Sequence, residues 1–223
     1  MSVRAAALLL AATAAVSVTT AASEAGKISL GTLASSPRAI GQGRVWLLLS
    51  SALVADHPIG PSLLALAGLG LVALAICGWR IVWMAATLGH AGSAIAVYGV
   101  IATIRLLDPG DLAQVRSLYD YGTSAIIAAW IGAIAARGWR RRPALTARGA
   151  IVAFCLGSGL IGWVLRPQLT PLDSEHVVAF LIGVAIARLE LDLAPLRRAW
   201  AGCRSVLASV WAWTRRRPAL ARW

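Results

Sequence analysis

Long apolar runs separated by short polar segments dominate the chain. Several runs reach the roughly 20 residues that a helix needs to cross a bilayer. They are rich in Ala and Leu and do not alternate with polar residues, which disfavours the strands of a membrane barrel. The pattern predicts an all-α polytopic membrane protein with six spans, at about residues 5–22, 46–77, 81–103, 119–137, 149–166 and 174–190.

Two of these spans carry further signals. A polar break at residues 56–61, with two prolines, divides the second span and predicts a short interfacial helix followed by a true span over 62–77. The first run ends in small residues near Ser23, so it is either a retained helix or a cleaved signal peptide. We therefore divide the chain into 1–45, the first helix or signal-like segment with an extracytoplasmic loop, 46–190, a membrane core, and 191–223, a basic tail.

Composition and charge agree with this interpretation. Charged residues make up 13% of the chain, about half of their share in soluble domains. Most arginines fall on the side that holds both termini, the 78–80 turn and the 137–148 loop. The positive-inside rule places that side, and hence both termini, in the cytoplasm of a multi-pass protein of the inner (plasma) membrane. The net charge of +12 is thus a topology signal, and nucleic-acid binding is disfavoured.

The tail after residue 190 mixes arginines with tryptophans. Such a mixture suits a helix that lies on an anionic leaflet, with Trp at headgroup depth and Arg on lipid phosphates. A merely solvated tail is an equally good interpretation. The lipid bilayer is therefore a predicted partner of the chain, and anionic lipid is a predicted partner of this tail.

Two of the predicted spans bear stripes of small side chains, which allow close approach of membrane helices. The stripe of the fourth span is Ser124, Ala128, Gly132 and Ala136, and that of the sixth is His176, Ala179, Gly183 and Ala187. Each stripe carries one reactive group near the same end of its helix. A hydroxyl and an imidazole that meet there would form a nucleophile and its base.

Other polar residues of the spans have structural alternatives. Asp120 orients His176, binds a cation of the substrate or caps the fourth span, and the cap is favoured because Asp suits a helix N-terminus. His90 is an ionisable group within the third span, and such groups are functional candidates by default. Its position about 20 Å from the outer end, well below Ser124, favours instead a neutral His bonded to a neighbouring helix. Three scattered cysteines predict neither a metal site nor a disulfide.

The motifs around the two stripes resemble those of rhomboid intramembrane serine proteases. The resemblance rests on Gly122-Thr123-Ser124 with Gly132 beyond it, and on His176 with Gly183. The 46–61 stretch also resembles the semi-embedded first loop of that family, so the resemblance covers residues 46–190 and implies a six-helix bundle. It implies that Ser124 is the nucleophile, that His176 is the general base, that no metal or cofactor is needed, and that the substrates are transmembrane helices.

The chain also departs from the rhomboid pattern, as a divergent bacterial member would. That family carries a His and an Asn four residues apart at the start of the second span, where they help to hold the oxyanion. Residues 60–66 lack this pair and leave His57 and Ser62 as the nearby polar candidates, while Ala128 stands where an aromatic residue is common. Two functions follow: a serine endopeptidase, or an inactive pseudoprotease that binds membrane-protein clients. A transporter is disfavoured because paired charges and broken midplane helices are missing.

Overall fold

The computed structural model describes residues 2–107, 117–139, 149 and 171–189. These residues are mostly helical, and no strand occurs among them, which confirms the helical part of the prediction. The predicted fifth span, the basic 140–148 loop and the tail lie outside the described residues, apart from Gly149. In chain order the helices are α1 (Val3–Glu24), α2 (Pro37–Gly41), α3 (Leu47–Ser50), α4 (Ile59–Cys77), α5 (Trp79–Leu107), α6 (Ser124–Trp139) and α7 (Pro171–Leu189).

Three helices of the described part of the chain, α1, α4 and α5, are long and apolar enough to cross a membrane. The helix α6 is equally apolar in character but shorter, with 16 residues. The chain is therefore compatible with a membrane protein, and its exposed apolar side chains on α1, α4 and α5 have the character expected of a lipid-facing surface.

The segment between α1 and α4 is a folded connection and not an open loop. It contains α2, α3 and two 3-10 turns, Leu30–Thr32 and Ser51–Leu53. The prediction of a broken second span is confirmed, because α3 is short and α4 begins at Ile59, directly after Pro58. The Thr20 side chain of α1 holds this connection by accepting the Ala55 N–H at 2.8 Å.

Helices α1, α4 and α6 meet at a glycine. A Cβ on Gly70 of α4 would lie 2.8 Å from Leu9 Cδ2 and 2.9 Å from Trp130 Cζ3. Leu9 and Trp130 are both almost completely buried, and the Trp130 indole N–H donates to the Val82 carbonyl at 2.9 Å. The apolar core thus forms around α6, with α5 fixed to it by a hydrogen bond.

The helices α6 and α7 pack backbone against backbone, and α5 packs closely against α6. A Cβ on Gly183 would lie 1.9 Å from the Ala129 carbonyl oxygen, and one on Gly132 would lie 2.1 Å from the Phe180 oxygen. On the other side of α6, a Cβ on Gly89 would lie 2.4 Å from Ala129 Cβ. Small residues therefore permit this three-helix contact, which is the geometry that small-residue stripes allow in membranes.

The starts of α6 and α7 differ from the sequence prediction. The helix α6 begins at Ser124 and not near Tyr119, because Asp120 pairs with Ser35 in an isolated antiparallel bridge that keeps the chain extended. Ser124 therefore opens its helix, whereas we expected it five residues inside. The helix α7 begins earlier than predicted, at Pro171, so His176 lies in its second turn.

Candidate active site

The side chains of Ser124 and His176 meet where α6 begins beside the second turn of α7. His176 Nε2 lies 2.8 Å from Ser124 Oγ, and both residues are half-buried. An imidazole nitrogen at this distance can accept the hydroxyl proton when the oxygen attacks a carbonyl. The structure thus brings together the two residues that the sequence analysis paired, in the geometry of a nucleophile and its base.

Close packing of α6 and α7 sets this distance. Gly132 lies about two turns beyond Ser124, and Gly183 lies about two turns beyond His176. Both touch backbone atoms of the facing helix, and Ala128 and Ala179 are fully buried between them. Any larger side chain at these positions would separate the helices and, with them, the hydroxyl and the imidazole.

A carboxyl group from the connection before α4 completes the immediate surroundings of Ser124. Asp56 Oδ2 accepts the backbone N–H of Ser124 at 3.1 Å. The approach requires glycine at position 122, because its φ is +125° and a Cβ there would lie 1.8 Å from Asp56 Oδ1. Gly122, which belongs to the resemblance motif, therefore makes room for Asp56.

Burial changes the acidity of Asp56. It raises the pKa of this carboxyl from an ordinary value of about 4 to about 6, because the charged form loses solvent. Hydrogen bonds from Ser124 and Thr123 act in the opposite direction, and the nearby Asp120 charge adds a smaller increase. The group therefore changes its charge within the range of pH in which many enzymes work.

Asp120 belongs to a buried polar network and does not cap α6. Its backbone N–H and carbonyl exchange hydrogen bonds with the Ser35 backbone, at 2.8 Å and 2.9 Å. Its Oδ2 accepts a hydrogen bond from the Tyr98 hydroxyl, which lies 2.8 Å from Ser35 Oγ. The favoured prediction of an N-cap is wrong, because a long-range pairing to Ser35 outweighs the local preference of Asp for helix starts.

Glu175, which precedes His176, is a buried member of the same network. Its Oε1 accepts a hydrogen bond from Ser93 Oγ at 3.0 Å, and its carboxyl lies near enough to that of Asp120 for the two to interact electrostatically. The network therefore ties α7 to α5 and to the extended segment before α6.

His90 reaches the surroundings of the site through Ser51. His90 Nε2 lies 2.9 Å from Ser51 Oγ, and the Ser51 carbonyl accepts the Gly122 N–H at 3.1 Å. The expectation that His90 bonds to a neighbouring element agrees with this contact. The depth of His90 in the membrane stays a prediction, and its neighbour Gly89 packs against Ala129, more than one turn beyond Ser124.

Two further candidates, His57 and Ser62, make contacts with other residues. His57 is exposed, and its Nε2 contacts Glu24 Oε1 at 3.2 Å at the end of α1. Ser62 lies in the first turn of α4, where its N–H donates to Pro58. Their role as oxyanion partners stays a prediction, and the side chain that accepts the Ser124 N–H is that of Asp56.

The sequence analysis missed Asp56, Glu175, Tyr98 and Ser35. Asp56 and Glu175 carried a weak signal, since each is an acid within the bounds of a predicted span, 46–77 and 174–190. Nothing local indicates the partners of the other two. Within the described ranges, no group of three or more His, Cys, Asp and Glu side chains could hold a metal ion.

No family model, curated protein or solved structure matches the chain. The resemblance to rhomboid proteases therefore rests on its motifs alone and stays a prediction. What the structure adds is geometry: a serine, a histidine and a buried carboxyl around one backbone N–H.

Replacing Tyr98 by Phe tests the buried network. We expect the loss of about 1–3 kcal/mol of folding stability, because Asp120 and Ser35 keep their burial and lose a hydrogen-bond partner. The measurement is the thermal unfolding midpoint in detergent. Tyr119→Phe is the matched control. That side chain is 52% exposed, so the loss of its hydroxyl leaves no buried polar group without a partner. Equal midpoints for the two variants would contradict a structural role of the network.

Proposed function

We propose that this protein is a rhomboid-like intramembrane serine endopeptidase that cleaves transmembrane helices with a Ser124–His176 dyad. The observation that carries the proposal is the 2.8 Å contact between Ser124 Oγ and His176 Nε2. Support also comes from its setting, because α5, which packs against both α6 and α7, is apolar and long enough to cross a bilayer. The charge asymmetry favours a multi-pass protein of the plasma membrane with both termini in the cytoplasm.

The proposed reaction uses the chain's own groups. His176 Nε2 accepts the Ser124 proton while Oγ attacks the scissile carbonyl of a locally unwound substrate helix. The electron pair of the carbonyl moves to its oxygen, for which the Ser124 N–H is the nearest backbone donor. His176 then gives its proton to the leaving amine, and water hydrolyses the acyl-enzyme with the same residue as base.

The second candidate is a pseudoprotease that binds membrane-protein clients without cutting them. The Asp56 carboxyl favours it, because it already occupies the Ser124 N–H that an oxyanion needs. Loss of a single oxyanion donor costs about 10²–10³ in rate. The two functions therefore share the fold and differ in the reactivity of Ser124.

A fluorophosphonate probe separates the two functions. We expect the purified, folded protein to be labelled, and the label to be lost in Ser124→Ala and strongly reduced in His176→Ala, because the probe reacts only with an activated serine. Ser17→Ala, which removes a half-buried hydroxyl of α1, is the control and should keep the label. The measurement is the rate of probe incorporation between pH 5 and 8.5. A folded protein without label at any of these pH values would exclude the protease and favour the pseudoprotease.

A further inference from the structure

We propose that Asp56 is a third catalytic group, which donates a hydrogen bond to the oxyanion when neutral and closes the site when ionised. This inference rests on the proposed protease function and assigns a role that the sequence motifs do not contain. In this role Asp56 would also replace the His and Asn of the rhomboid pattern, which residues 60–66 lack, as a partner of the oxyanion.

The position of the carboxyl carries the argument. The backbone N–H of a nucleophilic serine donates to the oxyanion because it belongs to the residue that attacks. In this protein Asp56 Oδ2 accepts that N–H at 3.1 Å, within the range expected between a donor and an oxyanion. The carboxyl oxygen thus occupies the region that the substrate oxygen must enter, or lies directly beside it.

The charge of the carboxyl decides whether the reaction can proceed. An ionised Asp56 holds the N–H and repels the negative charge that develops on the substrate oxygen, because like charges in a poorly solvated site disfavour each other. A neutral Asp56 has an O–H group and can donate it to the same oxygen. An apolar site that keeps a carboxylic acid neutral is a known way to build an oxyanion donor.

Gly122 and the surrounding groups maintain this arrangement. Glycine at 122 leaves space for the carboxyl, which a Cβ would fill. The charge of Asp120, in the extended segment before α6, favours the neutral form of Asp56, and the carboxyl of Glu175, on α7, also interacts electrostatically with Asp56. His176 contacts the same serine from α7. His57, the residue after Asp56, is exposed and pairs with the exposed Glu24 of α1.

The acylation step balances without any added reactant. The bond from Ser124 Oγ to the substrate carbon forms, and the carbonyl π electrons move to the oxygen. The Ser124 proton passes to His176 Nε2. The Asp56 O–H donates a hydrogen bond to the oxyanion and keeps its proton. When the carbon–nitrogen bond breaks, the oxyanion returns to a carbonyl and His176 protonates the amine.

Asp56→Asn tests the inference because Asn keeps the size and an N–H donor but cannot ionise. The readout is the ratio of the variant rate to the wild-type rate of fluorophosphonate labelling, measured from pH 5 to 8.5. His176 must be neutral in both proteins, so its titration largely cancels in this ratio. Because burial brings the Asp56 pKa to about 6, we expect the ratio to rise about tenfold per pH unit above that value and to reach about 100 at pH 8.

Two further variants make the test specific. Asp56→Ala removes the charge and the donor together, so we expect it to be about 10²-fold slower than Asp56→Asn at every pH. Glu24→Gln is the matched control, since it neutralises an exposed carboxylate on the neighbouring segment, and its profile should follow the wild type. Monodisperse elution in detergent establishes that each variant is folded.

The outcomes separate this inference from the proposed function. A ratio that does not change with pH, or equal rates for Asp56→Asn and Asp56→Ala, would overturn the role of Asp56 and leave the dyad intact. The absence of Ser124-dependent labelling in every protein would overturn both. If Asp56→Asn does not fold, the wild-type profile decides: a rate that does not fall above pH 6 contradicts the inference.

Discussion

Ser124→Ala, His176→Ala and the double variant should all reduce cleavage of a membrane-embedded substrate to the same residual rate. We expect each to lose a factor of about 10⁴ or more, because a nucleophile and its base act as one unit and their contributions do not add. The 2.8 Å contact is the physical reason, since it places His176 Nε2 where it can accept the proton of Ser124 Oγ. The measurement is single-turnover cleavage of a fluorescent single-span reporter in liposomes.

The double variant makes this experiment a test of the pairing. If the two residues acted independently, the double variant would lose the product of the two single factors. If His176→Ala alone kept Ser124 reactive within a few fold, another group would have to be the base, and Asp56 is the nearest candidate. Either result would contradict the dyad, whereas three equal residual rates would support it.

Gly183→Ala should destabilise the protein and separate the dyad. The added Cβ would lie 1.9 Å from the Ala129 carbonyl oxygen and 2.7 Å from its carbon, and these backbone atoms cannot rotate away. The helices α6 and α7 must therefore move apart. We expect a loss of about 2–3 kcal/mol of folding stability from overpacking. A misplacement of about 1 Å should also slow the reaction by about 10².

Gly99→Ala is the control for this substitution. Gly99 lies inside α5, and a Cβ there would meet nothing within 4 Å. Because Ala favours helices over Gly by up to about 1 kcal/mol, this variant should be as stable as the wild type or slightly more stable. The thermal unfolding midpoint in detergent and the labelling rate are measured for both. Equal midpoints for Gly183→Ala and Gly99→Ala would show that α6 and α7 do not pack as described.

The sequence could predict the stripes because they are local. Residues three or four apart share a helix face whatever the rest of the chain does, so Gly132 and Gly183 could be assigned to close packing. Ser124 and His176 could be paired because each lies on one of those faces. Their partner across the site could not be found in this way, because Asp56 reaches Ser124 from another part of the chain and belongs to no periodic pattern.

The error at Asp120 has a physical cause. Its role was predicted from a local rule, namely the preference of Asp for helix starts. In the structure, the pairing of Ser35 with Asp120 keeps the chain extended up to Gly122. That pairing joins residues far apart in sequence, and it moves the start of α6 from the predicted position near Tyr119 to Ser124.

The hydrogen bond between Thr20 and Ala55 has a mechanical consequence. Ala55 immediately precedes Asp56, and its N–H is tied to α1, while Glu24 of the same helix contacts His57 on the other side. The helix α1 therefore holds the residues on both sides of Asp56, whose carboxyl contacts Ser124. If α1 slides or tilts within the bilayer, Ala55 and His57 move with it and displace Asp56 relative to Ser124. The thickness of the bilayer, or another helix that binds to α1, would then change the reactivity of Ser124.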